Sequence, residues 1–261
     1  MAASTIPDRP GLTRGMTATG PAAAPAIVFL HGTRLSRTVW TPQLEALGDE
    51  FRAIALDLPG HGDRAAEAFS LSGAVDLVAA TIRDQAADGR AVVVGLSLGG
   101  YVAITLAATH PELVRGLVIA GASAEPAGVR RLAFRTLAAA LARLDGPLLD
   151  RFSTWSFRSR YPAAIADPIV AGGFWSANGA VALRALAGER FGPRLPGFGG
   201  PILIINGQYD LLFRRSARRF AATAHDVRRV VLAGAVHLSN LDRPGAFTLA
   251  VRRFARSATV A

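Results

Sequence analysis

The chain has 261 residues, of which 51% are hydrophobic and 18% are charged, and its formal net charge is +10. This composition excludes a disordered chain, and no apolar stretch approaches the roughly 18 residues that a helix needs to cross a bilayer. There is no cysteine, so disulfides, thiolate metal sites and cysteine nucleophiles are excluded as well.

The N-terminal residues 1–25 are rich in alanine, proline, glycine and threonine. They lack the apolar segment that forms the centre of a secretory signal peptide, so they are predicted to be a loose lead-in to the folded domain. Without a signal sequence, the predicted location of the protein is the cytoplasm.

Short apolar runs, rich in β-branched residues and bounded by glycine, proline or aspartate, are the predicted strands: residues 26–30, 53–56, 91–94, 116–120, 202–205 and 227–232. Their continuous apolar character is typical of strands buried on both faces of a parallel sheet. Stretches of helical period lie between them, for example 71–87 and 98–109. The sequence therefore predicts a doubly wound, mostly parallel α/β sheet.

Between residues 125 and 196 this alternation stops, and the chain becomes helical or irregular. The segment carries several aromatic residues, among them Trp155, Phe157, Tyr161, Phe174 and Trp175. A helical insertion of this kind usually covers the site as a cap, with ordinary packing helices as the alternative. The predicted organisation is a core of residues 26–124 and 197–261, interrupted by a helical cap at 125–196.

A last helix is predicted at residues 244–256, after the final strand. Its apolar side chains recur close to helical spacing, so we expect the helix to pack on the sheet. The residues on the predicted buried face are Phe247, Leu249, Ala250 and Phe254.

The strongest local signal is the pentapeptide Gly95-Leu96-Ser97-Leu98-Gly99, which follows the predicted strand 91–94 and opens the next helix. A serine at such a sharp strand-to-helix turn has its hydroxyl pushed out of the sheet, and the flanking glycines leave room for the chain to reverse. The N-terminus of the helix also directs backbone N–H groups at developing negative charge. Ser97 is therefore the predicted nucleophile.

A serine hydroxyl needs a base to take its proton, and His237 is the candidate. It follows the strand 227–232 after a short loop, so the strand delivers it to the carboxyl edge of the sheet. The other histidines are less well placed, because they occupy turns or helix ends: His31, His61, His110 and His225.

The base in turn needs a carboxylate that holds its tautomer and stabilises the imidazolium ion. Asp210 is the candidate, because it follows the strand 202–205 and a turn that leads to the same edge. Glu125, after the strand 116–120, and Asp226 are the rival acids, and Asp226 is expected on the far side of the sheet.

Negative charge on an attacked carbonyl oxygen requires fixed hydrogen-bond donors, typically worth about 2.7–4 kcal/mol each. Backbone N–H groups serve well because they need no reorganisation. The candidates are the N–H of Leu98, directly after the nucleophile, and the N–H of Thr33, in the loop after the first long strand.

These segments resemble the α/β-hydrolase superfamily, and in detail its esterase and enol-lactone hydrolase branch. The similar segments are His31-Gly32, Asp57-Leu58-Pro59-Gly60-His61-Gly62, the pentapeptide around Ser97, Asp210, and His237 with Leu238-Ser239-Asn240-Leu241. The chain order Ser97, Asp210, His237 is the order of that fold. The resemblance implies the α/β-hydrolase fold, a Ser-His-Asp triad and an oxyanion hole from Thr33 and Leu98. It also implies a structural role for His61 and a position for Trp40 in the rim of the site or in the core. One departure is Val236, since glycine usually precedes the catalytic histidine.

The leading functional hypothesis is hydrolysis of a carboxylic ester or lactone through an acyl-enzyme on Ser97. Two alternatives keep the same fold: C–C bond hydrolysis or cofactor-free perhydrolysis with the same triad, and a non-catalytic ligand-binding protein. The histidines lack metal-ligand spacing and a serine triad needs no cofactor, so neither a metal nor a cofactor is predicted. The sequence leaves the oligomeric state open.

All 29 basic residues are arginine, and many occur in pairs scattered along the chain. No aromatic residues are interleaved with them as on a base-stacking surface, so no nucleic-acid partner is predicted. They are interpreted as a solvated surface, with selection for an anionic substrate or partner as the alternative. The predicted partner is a small-molecule ester or lactone, and no membrane partner is predicted.

Overall fold

The computed structural model describes residues 13–260. Its centre is a seven-stranded sheet with the order β1-β3-β2-β4-β5-β6-β7. The strands are β1 (Met16–Thr19), β2 (Ala26–Leu30), β3 (Arg52–Leu56), β4 (Ala91–Leu96), β5 (Val114–Ala120), β6 (Ile202–Gly207) and β7 (Val227–Leu232). Every neighbouring pair is parallel except β1 and β3, which are antiparallel. The doubly wound, mostly parallel sheet that the sequence predicts is confirmed.

Burial explains why the central strands have continuous apolar sequences. Every residue of β2, β4 and β6 is buried. Two hydrophobic clusters lie on opposite faces of the sheet, since Val28 belongs to one cluster while its neighbours Ile27 and Phe29 belong to the other. A strand covered on both faces has no position at which a polar side chain reaches water.

The edge strand β1 lies within the segment that the sequence assigns to the lead-in. It pairs with β3 from Met16 opposite Leu56 to Thr19 opposite Ala53. The sequence does not single out this strand because it is four residues long and only partly buried. The rest of the predicted lead-in before residue 13 lies outside the described residues.

Helices connect the strands and cover the sheet. They are α1 (Thr41–Leu47), α2 (Leu71–Gln85), α3 (Leu98–Thr109), α4 (Arg130–Leu144), α5 (Pro147–Arg160), α6 (Ala163–Ala171), α7 (Ser176–Leu186), α8 (Leu211–Ala221), α9 (Ser239–Asp242) and α10 (Pro244–Val260). Short 3₁₀ helices occur at Arg37–Trp40, Gly62–Arg64, Pro111–Leu113 and Gly192–Gly197. Four helices, α4 to α7, therefore separate β5 from β6 and form the region called the cap below. None of the helices within residues 13–260 is both long and apolar enough to span a membrane.

The last helix, α10, packs on the sheet through Phe247, Val251, Phe254 and Ala258. The expectation that Leu249 shares this face is wrong, because its side chain is 43% exposed. The observed spacing of four, three and four residues follows a single helix face, and position 249 lies away from it.

Candidate active site

Ser97 occupies a strained turn between β4 and α3. Its backbone angles, φ 50° and ψ −112°, lie in a region that residues other than glycine rarely adopt, at a typical cost of about 1–3 kcal/mol. Its N–H donates to the carbonyl of Ala120 on β5 at 2.8 Å, so the sheet ladder continues to the turn itself. This hydrogen bond holds Ser97 in its strained backbone conformation, which directs the side chain away from the strand.

The glycines on either side of Ser97 are required by close backbone approaches. A Cβ atom on Gly95 would lie 2.3 Å from the carbonyl oxygen of Gly99, and one on Gly99 would lie 2.2 Å from the carbonyl oxygen of Leu30. Contacts this short are far inside van der Waals distance. The turn can therefore reverse only because neither position carries a side chain.

Asp210 and His237 meet at the same edge of the sheet. Asp210 follows β6, His237 follows β7, and the Nδ1 atom of His237 lies 2.8 Å from Oδ2 of Asp210. The carboxylate is nearly buried, whereas the imidazole is 37% exposed. Because an ionised carboxylate only accepts hydrogen bonds, Nδ1 of His237 carries the proton of this bond, and Nε2 of the neutral ring is left as an acceptor.

Two residues that the sequence does not single out hold the imidazole in place. The ring of Phe213, on α8, stacks on His237 with a centroid distance of 5.1 Å and an angle of 29° between the planes. Gly121 lies beneath it, with φ 57°, and a Cβ there would be 2.8 Å from Cε1 of His237. The sequence feature that could have identified Gly121 is its position directly after β5. Phe213 has no such feature, because only the fold brings it to the site.

The loop that carries His237 is fixed by Asp242. The N–H of Val236 donates to Oδ2 of Asp242 at 2.8 Å, and the hydroxyl of Tyr161, at the end of α5, donates to Oδ1 at 2.8 Å. Burial raises the pKa of Tyr161, and the hydrogen bond to Asp242 raises it further. Asp242 thus connects the loop that carries His237 to the cap. The loop accommodates valine at position 236, where glycine is usual.

Ser97, His237, Thr33 and Leu98 all line one cavity of about 320 Å³. Leu98 is the first residue of α3, so its N–H has no partner within the helix. Apolar side chains make up most of the remaining wall: Leu35, Tyr101, Phe134, Leu137, Leu141, Leu183, Leu186, Leu212, Phe213 and Leu238. Five of these come from the cap helices α4 and α7, so the cap supplies a large part of the wall opposite the sheet edge.

Arg34 connects the loop after β2 to the cap. It has a positive φ of 70°, and its guanidinium donates to the hydroxyls of Ser176 at 2.8 Å and Ser153 at 2.9 Å. Its carbonyl accepts from the N–H of Trp175 at 2.9 Å. Burial lowers the pKa of Arg34. The residue next to Thr33 is therefore clamped to α5 and to the start of α7.

His31 and His61 are buried beneath this loop, with ring centroids 5.0 Å apart. Nε2 of His31 accepts from the N–H of Leu58 at 3.0 Å, so its Nδ1 carries the proton and donates to the carbonyl of Gly32 at 2.8 Å. Burial lowers the pKa of His31 to about 4 and that of His61 to about 3. Both rings are neutral at pH 7, and neither is among the residues that line the cavity.

The two rival acids lie away from His237. The carboxylate of Glu125 accepts from the N–H groups of Phe191 and Gly192, both at 2.7 Å, and so anchors the end of the cap. Asp226 precedes β7 at the opposite edge of the sheet, where its carbonyl accepts from the N–H of Ile202 at 2.8 Å. Trp40 is fully buried between Phe29 and Phe247.

Within residues 13–260, no group of three or more histidine, aspartate or glutamate side chains is arranged to hold a metal ion. The polar groups at the cavity include the hydroxyl of Ser97, the imidazole of His237, which is hydrogen-bonded to Asp210 behind it, and the guanidinium of Arg34. This set is suited to proton transfer and to attack on a carbonyl carbon.

Comparison with known proteins shows to which family the chain belongs. Residues 27–251 match the model of an alpha/beta hydrolase family. A pimeloyl-[acyl-carrier protein] methyl ester esterase of Neisseria meningitidis is 40% identical over 100 residues, which cover 38% of this chain and 30% of that protein. Less than a third of that relative is therefore matched.

Two solved structures are similar over nearly the whole chain. An esterase from Thermogutta terrifontis has a TM-score of 0.77 and 26% identity, with 93% of each chain covered. The enol-lactonase of Burkholderia xenovorans has a TM-score of 0.74 and 25% identity, with 92% of this chain and 95% of that chain covered. The similarity that the sequence indicates, to esterases and enol-lactone hydrolases of this superfamily, is confirmed.

Proposed function

The chain belongs to the alpha/beta hydrolase family, and from this premise we propose that it hydrolyses carboxylic esters or lactones through an acyl-enzyme on Ser97. The observation that carries the proposal is the 2.8 Å contact of Asp210 with His237, which lines the same cavity as Ser97. The proposed nucleophile Ser97 follows β4 and the proposed base His237 follows β7, and both line this cavity. The proposed orienting acid, Asp210, follows β6.

In the first half of the reaction, Nε2 of His237 takes the proton of Ser97 Oγ as that oxygen attacks the carbonyl carbon of the ester. The carbonyl oxygen becomes negatively charged and is stabilised by the N–H groups of Leu98 and Thr33. When the tetrahedral intermediate collapses, the C–O bond to the leaving alcohol breaks. The imidazolium of His237 gives its proton to that alcohol, and the acyl group stays on Ser97.

In the second half, His237 takes a proton from water, and the hydroxide attacks the acyl carbon. The bond to Ser97 Oγ then breaks, His237 returns the proton to Ser97, and the carboxylic acid leaves. Asp210 remains ionised throughout and stabilises the positive ring. Its burial keeps water from competing for the hydrogen bond to Nδ1.

The cavity wall indicates the class of substrate. Leucine and aromatic side chains dominate it, and Arg34, its one charged residue apart from the catalytic groups, is bonded to two serine hydroxyls. Transfer of apolar groups into such a wall is favourable by about 25 cal/mol per Å². We therefore expect esters or lactones with an apolar, uncharged acyl group to be preferred over those with a carboxylate near the reacting bond.

The proposal is tested with a fluorophosphonate probe, which phosphonylates an activated serine. We expect the wild-type protein to be labelled at Ser97 and Ser97→Ala to be neither labelled nor active. Ser72→Ala removes an exposed serine on α2 and is the matched control, which should be labelled like the wild type. A wild-type protein that resists labelling would contradict the acyl-enzyme and favour a non-catalytic binding protein.

A panel of substrates distinguishes which type of bond the protein cleaves. p-Nitrophenyl esters of increasing chain length, γ-lactones and ring-cleavage diketones are compared with wild-type protein and Ser97→Ala. Turnover of esters or lactones that depends on Ser97 supports the proposal. Turnover confined to the diketones would instead assign C–C bond hydrolysis to the same residues.

A further inference from the structure

A second cleft, outside the catalytic cavity, is lined by five arginines. It measures about 570 Å³ and is called the arginine cleft below. Three segments form it: the loop after β5 with the start of α4, the stretch around residues 190–193 at the end of the cap, and α8 with the turn that follows. The five arginines are Arg130, Arg190, Arg215, Arg218 and Arg219.

The chain balances only a small part of the positive charge of the arginine cleft. None of the ion pairs among the described residues involves any of these five arginines. Arg130 donates to the hydroxyl of Ser216 at 3.1 Å. Glu125 is the single acidic residue in the lining, and both of its oxygens already accept backbone N–H groups.

Five guanidinium groups around one concavity repel each other, and the repulsion is strongest where low-dielectric walls focus the field. Such an arrangement attracts anions, and an anion with several charges offsets more of the repulsion than a monovalent one. Arginine presents its N–H donors as a planar fork that binds two oxygens of a phosphate at once. Hydroxyls of Ser123, Ser216 and Thr223 add further polar groups to the lining.

We propose that the arginine cleft binds a small molecule that carries phosphate groups with at least two negative charges. Its volume lies within the range of about 300–1,000 Å³ that is usual for small-molecule sites. A protein partner would instead require a surface of roughly 800 Å² on each side. A concave site of this size, with its charges converging, fits a diphosphate or a phosphorylated metabolite.

The arginine cleft is distinct from the catalytic cavity but shares a wall with it. The Ser123 hydroxyl in the cleft donates to the carbonyl of Phe213 at 3.0 Å, and Phe213 stacks on His237. The two sites meet α8 at successive positions along its length: Leu212 and Phe213, at its start, line the cavity, whereas Arg215, Arg218 and Arg219, further along, line the cleft. No arginine of the cleft lines the cavity, so anion binding is measurable without reference to hydrolysis.

Isothermal titration calorimetry with inorganic pyrophosphate tests the proposal, with orthophosphate as the second ligand. We expect saturable binding of pyrophosphate to one site per chain, and weaker binding of orthophosphate because it meets fewer of the arginines. The double variant Arg215→Gln/Arg219→Gln should lose about a hundredfold or more in affinity, since it removes two charge-assisted contacts to the anion. Neither side chain makes a hydrogen bond or ion pair within the described chain, so the fold should be unaffected.

The matched control is Arg228→Gln/Arg229→Gln, an exposed pair on β7 outside the cleft, which lowers the net charge by the same amount. It should bind pyrophosphate like the wild type at equal salt. Equal losses of affinity in the two double variants would show that pyrophosphate binding depends only on the net charge of the protein, and would overturn the proposal. Absence of pyrophosphate binding, or binding of a poly-glutamate peptide in its place, would also overturn it.

Discussion

The carboxyl edge of the sheet and the cap helices α4 and α5 differ in how closely their residues are packed. All residues of β4 are buried, and the turn after it leaves no room for a single added methyl group at Gly95 or Gly99. In α4 and α5, by contrast, the buried residues are Ala138 and Ser153. Large apolar side chains are exposed there instead: Leu132, Leu137, Leu144, Leu148, Phe152 and Trp155.

On the proposed function, this difference separates the catalytic groups from the part of the cavity wall that recognises the substrate. The groups proposed for catalysis stand on the close-packed edge, where positions are fixed to fractions of an ångström. The cap contributes apolar wall to the same cavity but has few buried contacts of its own, which makes it the part best able to open for a substrate. Substitutions at the edge should therefore abolish function, and substitutions in the cap should tune it.

The largest effect is expected from Asp210→Asn at the edge. The amide cannot stabilise the imidazolium and favours the wrong tautomer of His237, so kcat for ester hydrolysis should fall by about 10⁴. Asp226→Asn, at the opposite edge of the sheet, is the control and should leave kcat unchanged. Steady-state kinetics with a p-nitrophenyl ester measures both. Retention of most of the activity in Asp210→Asn would remove Asp210 from the proposed mechanism.

Next in size is the effect of a single methyl group on stability. Gly99 and Gly245 are both the second residue of a helix, but a Cβ on Gly99 meets the backbone of Leu30 while one on Gly245 meets nothing within 4 Å. Gly99→Ala should lower the free energy of unfolding by about 3 kcal/mol through overpacking. Gly245→Ala should raise it by about 0.5–1 kcal/mol. Urea denaturation compares them, and equal effects would disprove the tight packing of the edge.

His31, which is buried at the carboxyl edge directly after β2, should make the stability of the protein sensitive to acid. Its folded pKa, about 4, is below the ordinary value of 6.5, so the unfolded chain binds the proton more tightly. The folded state is therefore favoured by the neutral His31 ring above pH 6.5. This contribution to the free energy of unfolding, on the order of 3 kcal/mol in all, is lost as the pH falls towards 4. His31→Gln should flatten the fall in unfolding free energy over this range, whereas the exposed His225→Gln should not. An unchanged slope in His31→Gln would contradict the lowered pKa.

The smallest effects are expected in the cap. Leu137 lines the cavity and Leu148 does not, although both are exposed leucines on cap helices. Leu137→Ala should lower kcat/KM for long-chain esters by about three- to fivefold, the cost of roughly 1 kcal/mol of lost apolar contact, and spare short-chain esters. Leu148→Ala should change neither. A uniform loss over all chain lengths would show that α4 supports the catalytic groups rather than the substrate.

Much of the architecture is encoded in short segments of the sequence. Continuous apolar runs bounded by glycine or proline can be buried only in the middle of a parallel sheet, so β2, β4 and β6 are predictable to within two residues. The pentapeptide around Ser97 is local in part: Gly95 is required by a contact with Gly99 in the same turn, whereas Gly99 is required by the approach of Leu30 on β2. The carboxyl ends of parallel strands share an edge, which is why Asp210 and His237 were predictable as neighbours.

Only the tertiary structure decided what surrounds those residues. Phe213 stacks on His237 and Arg34 reaches Ser153 across intervals of chain that no local pattern spans. The arginine cleft gathers residues from three separate segments, whereas in the sequence its arginines resemble a solvated surface. The physical reason is that periodicity records how a segment is buried, while the choice of partner depends on the packing of elements far apart in the chain.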